Sequence, residues 1–365
     1  MALTNFRPQQ YEQLLDEKIA ELLPKFKALG APEPEVTSSP KEAFRLRAEF
    51  RLWHEGDELS YVMFDPKAPK DPIPVDTFPI ASQAIQALMQ VLIAAIKGDD
   101  VLRHKVFQIE FLSTLAGDML VTLIYHRRLD DAWAQVAQQL ADQLGISIIG
   151  RSRKQKQVIG RDYVIEKLEV STGTFVYQQP EQAFTQPNGA VNKAMINWAV
   201  AAATQCSDDL LELYCGIGNF TLPLAPCFDN VIATELSKVA TAAAQVNRLE
   251  NGIENVEFVR MSAEDMSSAL ANERPFRRLS HLKKPLDSYN LKTLLVDPPR
   301  AGLDDKTLEI ARHFDKVIYI SCNPQTLLAN LEVLAPSHRI DKLAFFDQFP
   351  YTHHLESGVL LSRKP

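Results

Sequence analysis

The stretch Leu210-Leu-Glu-Leu-Tyr-Cys-Gly-Ile-Gly-Asn-Phe220 constrains this chain more than any other. An apolar run leads into a turn carrying Gly216 and Gly218, and a helical pattern follows. Glycines at such a turn let the backbone come close to a ligand. The next apolar run, 231–234, ends beside Glu235, seventeen residues on from Gly218. A carboxylate there can accept hydrogen bonds from both hydroxyls of a ribose. This is the plan of a Rossmann-like nucleotide site. The surrounding rhythm agrees: from about residue 190, short apolar runs at 210–213, 231–234, 256–260, 293–296, 317–320 and 358–362 alternate with helical stretches. Alternating βα units imply a parallel sheet with helices on both faces. Residues 267–290 interrupt with charges and no period, and read as a surface excursion before the fourth strand.

Two cofactors compete for the glycine loop. Dinucleotide sites favour a third glycine where this chain has Thr221, so close approach of a pyrophosphate is unsupported. Glu212, just ahead of the loop, suits a cationic methionine group better than a diphosphate. S-adenosylmethionine is the better fit; a structural βα turn with a surface acid is the alternative. Ala263-Glu264-Asp265 reads equally as a wall for adenine or as a helix start.

The first half has a different texture. Residues 8–29 predict a helix, with Pro24 expected to kink it or end it early. A linker follows over 30–40. Then Phe44, Leu46, Ala48, Phe50 and Leu52 alternate with Arg45, Arg47, Glu49 and Arg51. Period two means a strand with one buried and one wet face, the wet face carrying three arginines. Further strands are expected at 59–64, 104–113, 118–126, 146–150 and 164–176, with helices at 79–97 and 129–144. The result is an α+β unit with antiparallel hairpins over 1–180, followed by a Rossmann-like domain over 181–365. The run 151–161 holds five basic residues and no acid; alone, it reads as a solvated hairpin.

Composition removes other classes. With 365 residues, 46% of them hydrophobic and 23% charged, the chain is neither a disordered tail nor a collagen-like fibre. No apolar run is long enough for a membrane span. The four cysteines form no C-x-x-C pair and no histidine sits at zinc-finger spacing, so no metal site is expected. Few cysteines and no signal-peptide pattern at the start point to the cytoplasm. The net charge of −7 argues against nonspecific coating of nucleic acid, so any polyanion site must be a local patch.

Two loops follow apolar strands and carry chemistry. Asp297-Pro-Pro-Arg300 and Ser321-Cys-Asn-Pro324 lie at strand C-termini, where open α/β sheets bind ligands. Asp297 can reach a cofactor or a base. Asn323 and Pro324 suit the start of a helix, and a helix N-terminus lowers a thiol pKa, making Cys322 a candidate nucleophile. A small buried hydrophobe is the competing reading, which Cys206, Cys215 and Cys227 fit better. Near the C-terminus His353, His354 and Glu356 are candidates for proton transfer; the adjacent histidines project differently, so at most one faces a given site.

Together the motifs Phe184-Thr-Gln-Pro-Asn188, Glu212-Leu-Tyr-Cys-Gly-x-Gly-Asn-Phe220, Asp297-Pro-Pro-Arg300, Ser321-Cys-Asn-Pro324 and Phe349-Pro-x-Thr-x-His-x-Glu356 resemble the RNA uracil-5-methyltransferases. Arg45–His54 and Leu102–Phe107 make the chain similar to the bacterial tRNA branch. The resemblance covers essentially the whole length. It implies that Gln186, Tyr214, Asn219, Glu235 and Asp297 bind S-adenosylmethionine, that Cys322 is the nucleophile and that Glu356 is the base. The implied product is 5-methyluridine at position 54 of the tRNA T loop, with the T arm of tmRNA as a further substrate. Arg51, Phe107 and His126 are candidate RNA contacts, and Arg300 a candidate stabiliser of the enolate. A monomer is expected. The ribosomal-RNA branch commonly adds an OB-like domain and a four-cysteine Fe–S site, both missing here. The cytosine-5 enzymes place a cysteine directly after Asp-Pro-Pro, where this chain has Arg300. Another nucleobase methyltransferase, or a tRNA-folding factor with secondary methylation, are the competing functions.

Overall fold

A computed structural model describes residues 6–65, 68–204, 206 and 208–365. The chain opens with α1 (Tyr11–Ala28), which buries Tyr11, Leu15, Lys18, Leu22 and Phe26. Pro24 lies inside α1 without ending it. Leu22 and Phe26 flank it and are buried, and Phe26 sits edge-on to Phe345 with ring centroids 5.5 Å apart. That packing outweighs the roughly 3 kcal/mol that an internal proline costs. The expected linker contains a short strand, β1 (Glu35–Thr37).

The α+β unit comprises β2 (Arg47–Glu55), β3 (Glu58–Asp65), β4 (Ala68–Pro74), α2 (Gln83–Lys97), α3 (Asp100–Arg103), β5 (Val106–Ser113), β6 (Met119–Tyr125), α4 (Asp131–Leu144), β7 (Ser147–Ser152) and β8 (Gln155–Ile159). Its seven strands run in the order β4-β3-β2-β5-β6-β7-β8, antiparallel except for the β6/β7 pair. The alternation around β2 holds in its burial, but the arginine face is less wet than expected. Arg45 and Arg47 are half-buried. Arg47 donates to the carbonyls of Ala183 (3.0 Å) and Glu181, and Arg45 Nε donates to the Arg47 carbonyl (2.8 Å). Arg51 alone of the three is exposed. Crowding explains one glycine here: a Cβ on Gly150 would lie 2.3 Å from the Trp133 ring. The single strand expected over 164–176 is a hairpin, β9 (Tyr163–Val170) and β10 (Gly173–Pro180).

The second half contributes α5 (Gly189–Ala203), β11 (Asp209–Leu213), α6 (Thr221–Leu224), β12 (Val231–Glu235), α7 (Lys238–Glu250), β13 (Val256–Arg260), α8 (Ala263–Leu270), β14 (Leu291–Val296), α9 (Asp305–Ala311), β15 (Lys316–Ser321), α10 (Pro324–Leu334), β16 (His338–Phe346) and β17 (Glu356–Arg363). Eight strands order as β1-β16-β17-β15-β14-β11-β12-β13. The sheet is not wholly parallel, as the βα rhythm implied: β17 runs antiparallel to both neighbours. A short return from β16 to β17, without a crossover helix, forces that reversal. β1 pairs in parallel with β16 through Val36↔Phe345, so a segment from the first forty residues completes the C-terminal sheet. Successive residues of the central strands feed two cores. Leu211, Leu213, Leu294, Val296, Val317 and Tyr319 join a cluster continuous with α1 and the α+β unit. Leu210, Leu295, Ile318 and Ile320 face the other way, under α5 and α7.

Candidate active site

The glycine loop leaves β11 with three residues at positive φ: Tyr214 (62°), Gly216 (57°) and Gly218 (88°). A Cβ on Gly218 would approach the Phe258 ring to 3.1 Å on a backbone that favours glycine, so that position admits little else. Glu235 at the end of β12 holds the loop: Gly216 N–H donates to its Oε2 (3.1 Å) and Ser237 N–H to its Oε1 (2.7 Å). The side chains of Asn219 and Asn192 exchange two hydrogen bonds of 2.9 Å. Gln186 accepts from Gln348 Nε2 at 2.7 Å, which ties the segment before α5 to the loop after β16. Burial and nearby acids push the Tyr214 hydroxyl up to about 12. Asn192 and Gln348 carry no sequence signal, because their partners are remote in the chain.

Negative charge concentrates beside this loop. Glu212 is 1% exposed and its Oε2 meets no hydrogen-bond partner. Burial pushes its carboxyl up to about 8, with Asp297 adding to the rise. Burial also lifts Asp297, at the end of β14, to about 7. Two acids desolvated together, one of them unsatisfied, form a site for a cation. With the left-handed glycine turn and the Glu235 carboxylate, they fit S-adenosylmethionine, whose sulfonium and ammonium are cationic and whose ribose needs acceptors.

Sheet register assembles the reactive groups. Ser321, the last residue of β15, pairs with Ser357 of antiparallel β17. Cys322 and Glu356 therefore leave the same edge at neighbouring positions. Glu356 is 3% exposed; burial, then Asp297, hold its carboxyl well above the usual range. The half-buried Cys322 thiol corrects the sequence expectation. Its pKa is not lowered but raised to about 11, by burial first and then by Glu356 and Asp297, with Arg300 opposing. Cys322 precedes the Asn323 cap of α10, and burial together with its acidic neighbours outweighs the helix end. Asn323 Nδ2 and Thr326 Oγ1 donate to the Arg300 carbonyl (2.9 and 3.2 Å), which locks the two strand-end loops together. Arg300 Nη2 lies 3.5 Å from His354 Nδ1. The rings of His353 and His354 are 4.0 Å apart, and both residues line a cleft of about 900 Å³ with Arg300, Asn323, Pro324 and Lys18.

A second cleft of about 900 Å³ opens on the α+β unit, lined by Phe107, His126, Arg127, Arg128, Arg153 and Lys154. Phe107 and His126 stack, with centroids 3.8 Å apart and planes at 11°. The Arg51 guanidinium lies 5.2 Å from the Phe107 centroid. The structure thus brings three sequence candidates into one cluster. The basic run at 151–161 begins at the β7–β8 hairpin; its tip lines this cleft, while Arg151 is paired with Glu181 at 2.5 Å. Among the described residues no group of His, Cys, Asp and Glu could hold a metal ion, and no helix is long and apolar enough to cross a membrane.

Fold and site together define a Rossmann-like methyltransferase. A Pyrococcus abyssi tRNA (uracil-54, C5)-methyltransferase, solved in complex with S-adenosyl-L-homocysteine, superposes with a TM-score of 0.72, covering 96% of this chain and 83% of its own at 21% identity. The family described as tRNA (Uracil-5-)-methyltransferase matches residues 10–364, and the chain belongs to that family. A tRNA/tmRNA (uracil-C(5))-methyltransferase of Pseudomonas entomophila (strain L48) is 55% identical over 359 residues, covering 98% of this chain and 99% of the relative. One of the same description from Azotobacter vinelandii (strain DJ / ATCC BAA-1303) is 54% identical over the whole of both chains.

Proposed function

We propose that this protein methylates C5 of uridine 54 in the tRNA T loop, and the T arm of tmRNA, using S-adenosylmethionine. The observation that carries the reading is the β15/β17 register, which sets a thiol and a carboxyl side by side at the edge where Asp297 also ends. Glu212, Asp297, Glu235, Tyr214, Gln186 and Asn219 would hold S-adenosylmethionine, which supplies an electrophilic methyl group. C5 of uracil is too weak a nucleophile to attack that methyl unaided. The Cys322 thiolate adds to C6, forming a C–S bond and making C5 an enolate carbon. Arg300, whose charge opposes the acids at Cys322, would supply the cation that the developing enolate needs. Once C5 carries the methyl, the Glu356 carboxylate removes the C5 proton, the C6–S bond breaks and the double bond returns.

The raised thiol and carboxyl values describe an acid-crowded site before anything binds. A cation placed between Glu212 and Asp297 favours their ionised forms, and the Glu356 base must be ionised when it acts. The α+β unit, with its Arg51–Phe107–His126 cluster, is the RNA-gripping part of the 1–180 segment in this proposal. The 181–365 segment carries the chemistry. The target base must leave its stack to reach Cys322, at a cost of roughly a few kcal/mol. A monomer in the cytoplasm completes the reading.

The test is trapping. Incubation with S-adenosylmethionine and 5-fluorouridine-substituted tRNA should accumulate a methylated covalent adduct, because fluorine at C5 cannot leave as a proton. Peptide mapping should place it on Cys322, and a Cys322→Ala variant should form none. Full turnover by that variant would sink the proposal and favour a methyltransferase that needs no thiol.

A further inference from the structure

Lys18 is the one buried lysine among the described residues, with its side chain 8% exposed. It projects from α1, remote in sequence from every catalytic motif. Its ammonium has three N–H bonds and meets three acceptors: Asp347 Oδ1 at 2.7 Å and the carbonyls of Phe349 and His354 at 3.1 Å each. Asp347, 1% exposed, immediately follows β16. His354 stands two residues before Glu356, where β17 begins. One cation therefore pins both ends of the loop that delivers Glu356 to the sheet edge.

The loop needs such a pin. It connects two antiparallel strands over residues 347–355, and Tyr351 within it stands at a φ of 63°. Buried carbonyls require donors, and a buried carboxylate requires a cation or a proton. Lys18 supplies both to one side of the loop. Elsewhere the loop is fastened by the Asp347 N–H to the Thr37 carbonyl (3.0 Å), the Tyr351 hydroxyl to the Lys41 carbonyl (2.7 Å) and Gln348 Nε2 to Gln186 (2.7 Å). At the His354 end, His354 N–H donates to Thr352 Oγ1 inside the loop (3.1 Å) and the exposed Arg300 Nη2 lies 3.5 Å from the His354 ring, whereas Lys18 joins that end to Asp347 from a buried position. Lys18 also lines the cleft with Asn323 and Pro324, so α1 forms part of its wall.

We propose that Lys18 is a positioning residue for Glu356: by clamping Asp347, Phe349 and His354 it keeps the carboxyl aligned on the C5 proton of the adduct. The inference rests on the role given to Glu356 above. A misaligned base slows proton removal and elimination while leaving thiol addition and methyl transfer in place. A general tie between α1 and the sheet would lack that signature.

The experiment uses the full chain, with Lys18→Met and the milder Lys18→Gln read together. Each is assayed for S-adenosylmethionine binding, for kcat and KM on ordinary tRNA, and for protein–RNA adduct on denaturing gels. The expected result is kcat lowered at least tenfold, cofactor affinity within about twofold of wild type, and a methylated adduct accumulating on unfluorinated tRNA. Lys18→Arg, with cleft space to accept the larger head, should recover most of the turnover and clear the adduct. Wild-type turnover in Lys18→Met, a loss of activity with no adduct, or loss of cofactor binding in both variants would each overturn the proposal. Failure of the underlying reading is separate: the wild-type enzyme would then trap no fluorinated tRNA at Cys322.

Discussion

The two clefts handle charge in opposite ways. At the catalytic edge, Glu212, Asp297, Glu356 and Cys322 are crowded into a region where burial raises every one of their pKa values. Cations stand at its margin, where Arg7, Lys18, Arg45 and Arg300 line the adjoining cleft. On the α+β unit, Arg51, Arg128, Arg153 and Lys154 stand around an aromatic stack, and no buried acid lines the opening. The first arrangement is expensive when empty and is relieved by a cation. The second costs little when empty and attracts a polyanion. On the proposed reading, one chain thus separates a site for a small cationic molecule from a surface for phosphates, although its net charge is negative.

The sharpest way to break that contrast is to change one atom at the buried edge. Glu356→Gln keeps shape and removes the base. General bases contribute roughly 10²–10⁴ in rate, so kcat should fall by about that factor. Methylated adduct should build up on normal tRNA, as seen on a denaturing gel with labelled methyl groups. A variant that turns over at the wild-type rate would remove Glu356 from the chemistry and leave His354 as the titratable group to examine.

That edge was only half legible from the residues in order. Strand-end loops with Asp297 and Cys322 announce themselves, because a parallel strand followed by a turn is a local pattern. The nearness of Glu356 to Cys322 is not local. It depends on β17 running antiparallel, and a run of apolar residues at 358–362 carries no direction. β16 carries no sequence signal because Arg339, Asp341 and Lys342 break its apolar pattern, and only Leu343–Phe346 forms a continuous buried run. The thiol shift is hidden for a related reason: the cap at Asn323 is visible in sequence, whereas the burial of Cys322 and the acids from two other strands that push its pKa up appear only in the fold. β1 was hidden by its length of three residues. In the α+β unit the alternation at 44–52 is plain, but the tethering of Arg47 to the Ala183 and Glu181 carbonyls depends on residues more than a hundred positions away.

A second prediction measures what the acid crowding costs. Glu212 has its carboxyl pushed from an ordinary 4.5 up to about 8 in the folded protein. The folded state therefore holds this proton more tightly than the unfolded chain. Below about pH 4.5 both states are protonated and nothing is lost. As pH rises towards 8 the unfolded chain releases the proton first, and folding stability declines. Glu212→Gln has no proton to release. Its melting temperature relative to wild type should rise between pH 5 and pH 8, by the equivalent of a few kcal/mol at the upper end. The same variant should bind S-adenosylmethionine more weakly, measured by calorimetry. A gain in stability with unchanged cofactor affinity would show that the acid is not there for the cation.

The smallest effects belong to the open surface, and they should differ in kind. Phe107 is already stacked on His126, and Arg51 already covers the Phe107 face. A nucleobase that stacks there must displace one of these partners, so part of the usual 1–3 kcal/mol per stacked base is spent on exchange. Phe107→Ala should therefore raise KM for tRNA by only about fivefold to tenfold, with cofactor affinity untouched. Arg51→Ala should weaken RNA binding by a similar factor at low salt, and its deficit should shrink as salt rises. One phosphate contact removed flattens the dependence of log affinity on log salt by about one unit or less. Filter binding across a salt series separates the two variants. A Phe107 deficit that vanished with salt, or an Arg51 deficit that did not, would mean that the ring and the cation do not divide base and phosphate between them.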